Sequence, residues 1–378
     1  MKDINIAVIG WGFMGRMHTQ ALRSIPLMYP GIGFRPVLKC LCSGHRENAL
    51  RGQAEAGFES VTDDWRTLLD RSDIDVVSIC TPNSLHEEMV LSLLKSGKHL
   101  YIDKPLTTSL ASAARILKAA KGAGQKLQMV MNNRFLPATL RAKQLVEEGR
   151  IGDVTTFNCR YLHSGSVDAQ KPMGWKQGLE GGVILDLASH ALDLTCDLVG
   201  YPEKVHCATR VLYPSRPTKS GGTETRLSED HALMTLRLPS GALGFCEASK
   251  ISTSSNDELT FEVCGTRGAL RFDLMDPSWL WFYDNTQSDA PYGGTKGFTR
   301  IECVGRYPAP GGSFPPPKNA LGWDRGHIHC YYSFLSCVAN DRQPLCGLED
   351  AYRLQALMEA AHSSALSGQW ETPNYTLP

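Results

Sequence analysis

The sequence predicts an α/β chain in two parts. The first is an N-terminal parallel sheet covered by helices. The second is an α+β domain built on a large, mainly antiparallel open sheet. Three observations carry this. Residues 1–132 alternate short apolar runs with helical patterns, as a parallel α/β sheet requires. Runs such as Ile74-Asp75-Val76-Val77-Ser78-Ile79-Cys80 are too continuously apolar for a strand with one wet face. Beyond Asn133 the pattern changes to alternating strands with turn signals, and 378 residues exceed a usual single core. The expected domains are therefore 1–132 and 133–378, with the C-terminal helices packing back towards the first.

In order, strands are predicted at 4–9, 36–42, 58–61, 75–80, 99–102 and 127–131. Helices are predicted near 14–25, 46–56, 64–70, 84–96 and 109–123. Ser84 and Gly97 bracket one helix, and Thr107 or Thr108 caps the next. A helix at 136–148 opens the second part. Strands follow at 153–163, 203–212, 230–238, 242–251, 258–264 and 268–273, interrupted by a helix at 186–199. Pro239-Ser240-Gly241 and Gly265-Thr266-Arg267-Gly268 supply the turns between antiparallel neighbours. Residues 213–229 and 284–322 read as long loops of lid, arm or disorder type. Helices at 324–340 and 348–367 end the chain.

Lys plus Arg and Asp plus Glu both number 39, so no basic footprint for nucleic acid or a membrane surface is expected. No run approaches the ~18 apolar residues of a membrane span, and the N-terminus lacks a signal-type apolar core. Twelve scattered cysteines without a C-x-x-C read as buried thiols, and the expected location is cytoplasmic. No cluster has metal-ligand spacing, so no metal is expected.

Gly10-Trp11-Gly12-Phe13-Met14-Gly15 matches G-x-G-x-x-G directly after the first strand and at the mouth of a helix. In that context the glycines allow a tight turn, and helix N–H groups face a pyrophosphate. The first domain is thus expected to be a Rossmann dinucleotide-binding domain, with Gly10, Gly12, Phe13, Met14 and Gly15 at the cofactor. The second strand ends at Ser43-Gly44-His45-Arg46 without a carboxylate, a pattern that leans towards NADP through Ser43 and Arg46. Thr81-Pro82-Asn83 and Asp103-Lys104-Pro105 lie at the carboxyl rim of the sheet, where Thr81, Asn83, Asp103 and Lys104 reach the cofactor. Lys104 beside a reacting hydroxyl would donate a hydrogen bond or relay a proton.

Gly181-Gly182 leads into an apolar helix carrying Asp186 and His190. At ~3.6 residues per turn the two share a face, so the carboxylate would orient the imidazole and raise its basicity. That is what a general base near neutral pH needs.

With these residues in view, the chain resembles the glucose–fructose oxidoreductase, inositol dehydrogenase and rhizopine-catabolism (Gfo/Idh/MocA) family over nearly its whole length. The resemblance rests on the glycine loop with His18, and on Ser78 to Asn83 followed by His86. It rests further on Gly97-Lys98-His99 leading into Asp103-Lys104-Pro105, on Gly149-Arg150-Ile151-Gly152, and on Asp186-x-x-x-His190. It implies a Rossmann domain, then an open-faced sheet, with substrate bound between them and copies paired through the sheet as a homodimer or homotetramer. His86 joins the cofactor residues. The position of Lys104 contacts substrate and nicotinamide, and that of His190 is the acid/base. Asp103 stands where Glu is commoner, and Asn133 where Tyr often stands, with Arg134 beside it counted as a substrate contact.

At finer grain, the insertion before Arg35, Asp64-Trp65-Arg66, Tyr161-x-His163, Pro172 and Trp175-Lys176 resemble the levoglucosan dehydrogenase and glycoside 3-dehydrogenase branch. That branch oxidises the 3-hydroxyl of a pyranose to a ketone and is mostly NAD-linked, so NAD is the expected cofactor and NADP the alternative. Tyr161, His163, Trp175 and Lys176 would line the sugar site, with His327 from the 324–340 helix. The expected partner is a sugar or glycoside. Inositol oxidation, and a glycosidase using NAD transiently through a 3-keto intermediate, are the competing activities.

Overall fold

The computed structural model describes residues 1–378 except Trp175, Gln177, Leu179, Glu180 and Leu227. The chain forms two compact units. The first begins with β1 (Lys2–Ile9), α1 (Phe13–Met28), β2 (Phe34–Cys42), α2 (Arg46–Ala56), β3 (Ser60–Thr62) and β4 (Val76–Ile79). It continues with α3 (His86–Lys95), β5 (His99–Ile102), α4 (Leu110–Ala120) and β6 (Leu127–Met129). The strands run β3-β2-β1-β4-β5-β6, every pair parallel. This is the doubly wound order, whose direction of winding reverses at β1 and β4. Every residue of β4 is buried, which explains its uninterrupted apolar character.

Two helix starts differ from expectation. Ser84 lies inside a 3₁₀ turn, Asn83–Leu85, and α3 begins at His86. Ser109, not Thr107 or Thr108, caps α4 by accepting from Ser112 N–H, while Thr107 is buried and donates to Ser112 Oγ. Three hydroxyl residues in a row offer equal local propensity, and only packing chooses between them.

The second unit opens with α5 (Pro137–Glu147) and β7 (Val154–Leu162). A π-helical turn, Ile184–Ala188, runs into α6 (Ser189–Val199). Then follow β8 (Lys204–Arg210), the small pair β9 (Ser215–Pro217) and β10 (Thr223–Thr225), β11 (His231–Arg237), β12 (Leu243–Ser249), β13 (Glu258–Gly265) and β14 (Gly268–Asp273). The strands β15 (Trp279–Asp284) and β16 (Phe298–Glu302) complete it, with β16 at the edge.

The eight-stranded sheet is ordered β16-β15-β14-β13-β7-β12-β11-β8, antiparallel except for the central β7–β12 pair. That pair is parallel because the chain returns to it only after a long crossover containing α6. One face is buried, with Phe157, Cys159 and Tyr161 alternating inward on β7. The other is exposed and carries Leu233, Leu243 and Trp281. Sequence patterning missed β15, which precedes the expected loop 284–322, and β16, which lies within it. The edge strand β16 lacks the buried alternation that marks its neighbours, whereas β15 buries Leu280 and Phe282 and carried that signal.

The chain then supplies α7 (Asp324–Ala339) and α8 (Leu348–Ser367). The units do not follow the expected 132/133 cut. The first comprises Met1–Phe135, Gly305–Gln355 and Thr376–Pro378, and the second Leu136–Val304 and Ala356–Tyr375. Residues 305–355 join the first because α7 packs on α1. Tyr29 stacks on Tyr332 with ring centroids 3.8 Å apart, and its hydroxyl lies 2.7 Å from His329 Nδ1.

Candidate active site

In the first unit the glycine loop links β1 to α1. Gly10 has φ +104°, and a Cβ there would meet the carbonyl oxygen of Cys80 at 2.5 Å. A Cβ on Gly15 would meet the carbonyl oxygen of Gly10 at 1.9 Å, so the helix abuts the turn directly. Gly12 differs: it is the N-cap of α1, has no side-chain cap, and faces open space. No acidic residue occupies the first turn. Uncapped N–H groups beside an empty approach fit the pyrophosphate of a dinucleotide. Phe13 is 71% exposed and stacks on Trp323 at 5.8 Å, and Met14 is half-buried.

The rest of the rim is assembled by buried hydrogen bonds. His86 Nε2 lies 3.1 Å from the Thr81 carbonyl, and Nδ1 lies 3.1 and 3.2 Å from those of Pro105 and Leu106. Fully buried, His86 ties the two rim loops together. It therefore braces the two loops that carry Thr81 and Lys104. Asn83 is buried, Asp103 and Lys104 half-buried, and Asp103 Oδ1 accepts from Lys104 N–H. Ser43 and exposed Arg46 sit just past β2, as expected.

Two further site candidates are engaged in packing. Arg134 pairs with Asp350 at 3.7 Å and is mostly buried, so its charge is used inside this unit. His327 is 2% exposed, edge-on to Trp323 at 4.4 Å, and burial drives its pKa well below the ordinary value. Both residues belong to packing that no local pattern reveals.

His18, the motif histidine, is buried with Nδ1 2.8 Å from Ser78 Oγ. Burial lowers its pKa to about 4 and that of His329 to about 3. In the unfolded chain both titrate near ~6.5, so below that value the unfolded state binds the extra protons. Stability present at neutral pH is lost as pH falls from ~6.5 towards 4. At pH 5 each histidine accounts for about 2 kcal/mol. Urea unfolding at pH 7.5 and pH 5 should show a clear drop, and equal stabilities would contradict this reading.

The second unit gathers the other residues. Tyr161 and His163 share the inward parity of β7, and the Tyr161 ring lies 5.7 Å from the His190 ring at 62°. Tyr161 Oη donates to Asp257 Oδ1 at 2.9 Å, and burial, then Asp257, pushes its pKa well up, so the phenol stays protonated. His163 Nδ1 accepts from Gly165 N–H, which leaves the proton on Nε2. Burial first, then Lys250, lowers its pKa. His190 is 8% exposed.

Asp186 is the centre of the charge arrangement. Lys176 Nζ lies 2.8 Å from Oδ1 and Lys250 Nζ 2.8 Å from Oδ2. The premise of uninterrupted α-helical spacing from Asp186 to His190 needs correction, because Asp186 lies in the π turn. Such turns interrupt helices frequently at functional positions.

Lys250, Asp257 and Glu229 were missed. Lys250 had a signal: it continues the inward parity of Gly244, Cys246 and Ala248, where a lysine needs a partner. Trp175 lies outside the described residues. Among the described residues no group of His, Cys, Asp and Glu is arranged to hold a metal ion, and no helix is long and apolar enough to cross a membrane.

A glycine loop at the switch point of a doubly wound sheet defines a dinucleotide-binding oxidoreductase. Comparison with known proteins agrees. Residues 4–131 match the oxidoreductase family with the NAD-binding Rossmann fold, and residues 139–271 match the GFO/IDH/MocA C-terminal domain. The chain belongs to the GFO/IDH/MocA oxidoreductase family, and NAD is its cofactor.

The chain is 29% identical to levoglucosan dehydrogenase of Pseudarthrobacter phenanthrenivorans, over 98% of each chain. It is also 29% identical to myo-inositol 2-dehydrogenase of Thermotoga maritima, over 71% of this chain and 75% of that one. The solved structure of levoglucosan dehydrogenase in complex with NADH and L-sorbose superposes with TM-score 0.94 at 28% identity, covering 99% of both chains.

Proposed function

We propose that this enzyme oxidises a secondary hydroxyl of a pyranose or glycoside, most specifically the 3-hydroxyl, to a ketone. The observation that carries the reading is the Asp186 carboxylate held by Lys176 and Lys250 on the segment leading to His190, beside Tyr161. The full-length likeness to levoglucosan dehydrogenase supports the substrate class.

When bound, NAD would supply the hydride acceptor for oxidation of the carbinol carbon. The imidazole of His190 takes the hydroxyl proton, and Asp186 holds the local charge and orients that imidazole. Lys104 donates a hydrogen bond to the same oxygen and stabilises the negative charge that develops on it. Tyr161, His163 and Lys176 bind the remaining hydroxyls of the ring. Thr81, Asn83 and the glycine loop hold the cofactor, with Ser43 and Arg46 at its adenosine end.

The test is a panel of pyranosides, free sugars and inositols with NAD and NADP, read by reduced-cofactor absorbance. Oxidation of pyranosides with NAD, giving 3-keto products, is the expected result. A response confined to inositols would replace the substrate class. Sugar cleavage without net NADH would replace oxidation with a transient-cofactor glycosidase.

The apolar exposed face at Leu233, Leu243 and Trp281 supports pairing of copies through the open sheet as a dimer or tetramer. A monomer mass by light scattering would remove that assignment. All twelve cysteines are free thiols, which supports a cytoplasmic location. Cell fractionation tests it.

A further inference from the structure

Residues 213–229 end on Glu229, which holds the start of the segment carrying Asp186 and His190. Its backbone carbonyl accepts from Val183 N–H at 3.1 Å, and its carboxylate Oε1 accepts from Ile184 N–H at 2.8 Å. The first N–H groups of a helix have no partner within it, and its positive end favours an anion. One residue meets both needs here. Gly182 makes the room: its φ is +98°, and a Cβ there would meet Glu229 Oε1 at 2.4 Å. His362 Nε2 stands 3.7 Å from the same oxygen.

The next residue extends the hold. The Asp230 carbonyl accepts from Lys250 N–H at 2.8 Å, and the Asp230 carboxylate is paired with Arg226, both side chains fully buried. Two successive residues therefore fix the backbone of the Asp186 segment and that of Lys250. The same two elements meet in the 2.8 Å Asp186–Lys250 ion pair.

We propose that Glu229 is a positioning residue for the acid/base machinery, setting the register of the segment that carries Asp186 and His190. This rests on the reading of His190 as acid/base given above. A cap with a purely structural role would change stability alone, whereas a register device changes the imidazole's surroundings.

The experiment compares Glu229→Ala, which removes the acceptor, with Glu229→Gln, which keeps an oxygen for Ile184 N–H. Each variant is measured for kcat, KM, NADH affinity and the ¹⁵N-histidine spectrum, with the His190 signal assigned by its loss in His190→Asn. Glu229→Ala should lower kcat about tenfold or more, leave NADH affinity unchanged and shift the His190 signal, and Glu229→Gln should restore most of the rate. An unmoved His190 signal with wild-type kcat overturns the proposal. So does a Glu229→Gln protein as impaired as Glu229→Ala. If the wild type oxidises no sugar, the acid/base reading fails, and the His190 signal alone then decides whether Glu229 sets its position.

Discussion

Replacing His190 with alanine is expected to lower kcat by about 10²–10⁴-fold, the usual worth of a positioned general base. NADH affinity should stay at the wild-type value, because the glycine loop and the rim residues belong to the other compact unit. The imidazole cannot be replaced by a neighbour. Tyr161 keeps its proton and spends it on Asp257, and Asp186 is neutralised by two lysines. His163 is the nearest candidate by chemistry, yet its Nδ1 is occupied by the Gly165 N–H. Stopped-flow measurement of NADH formation with the best substrate, alongside NADH titration by fluorescence, separates the two quantities. Wild-type turnover in His190→Ala would sink the assignment of the base.

Gly15→Ala should cause the second large effect, a loss of cofactor binding together with stability. Its new methyl group would stand 1.9 Å from the Gly10 carbonyl oxygen, a backbone atom in a turn already at positive φ. No side chain can swing away to relieve that contact. Overpacking of this kind costs about 1–3 kcal/mol and distorts the surrounding backbone, so the N–H groups at the start of α1 lose their aim. Gly12→Ala is the informative companion. Nothing lies within 4 Å of its added carbon, so the free protein should melt as the wild type does. NADH affinity should nevertheless fall, because the open space is where a pyrophosphate approaches. Thermal melts with and without NADH distinguish the two variants, and an unaffected Gly15→Ala would refute the close approach.

Legibility was uneven for particular reasons. The glycine loop and the buried strands were readable because each depends on residues adjacent in sequence. Asp186 and His190 were readable as a pair, but their environment was not. The sequence suggested a carboxylate serving one imidazole. The structure gives that carboxylate two lysine partners, one of them Lys250, 64 residues away along the chain. The burial of His86 and His327 and the pairing of Arg134 with Asp350 were not legible, because burial is a property of the packed unit. Composition around those positions carries no sign of it.

Local sequence by itself determined the parallel and antiparallel halves, the dinucleotide loop and the identity of the chemical groups. Period-2 and period-3.6 patterns, glycine steric freedom and side-chain chemistry all act over a few residues. Only the tertiary structure decided which charges surround Asp186, that Glu229 caps its segment, and that residues 305–355 return to the first unit. Each of those depends on contacts between residues far apart in the chain, where the energy lies in burial and pairing that no short window contains.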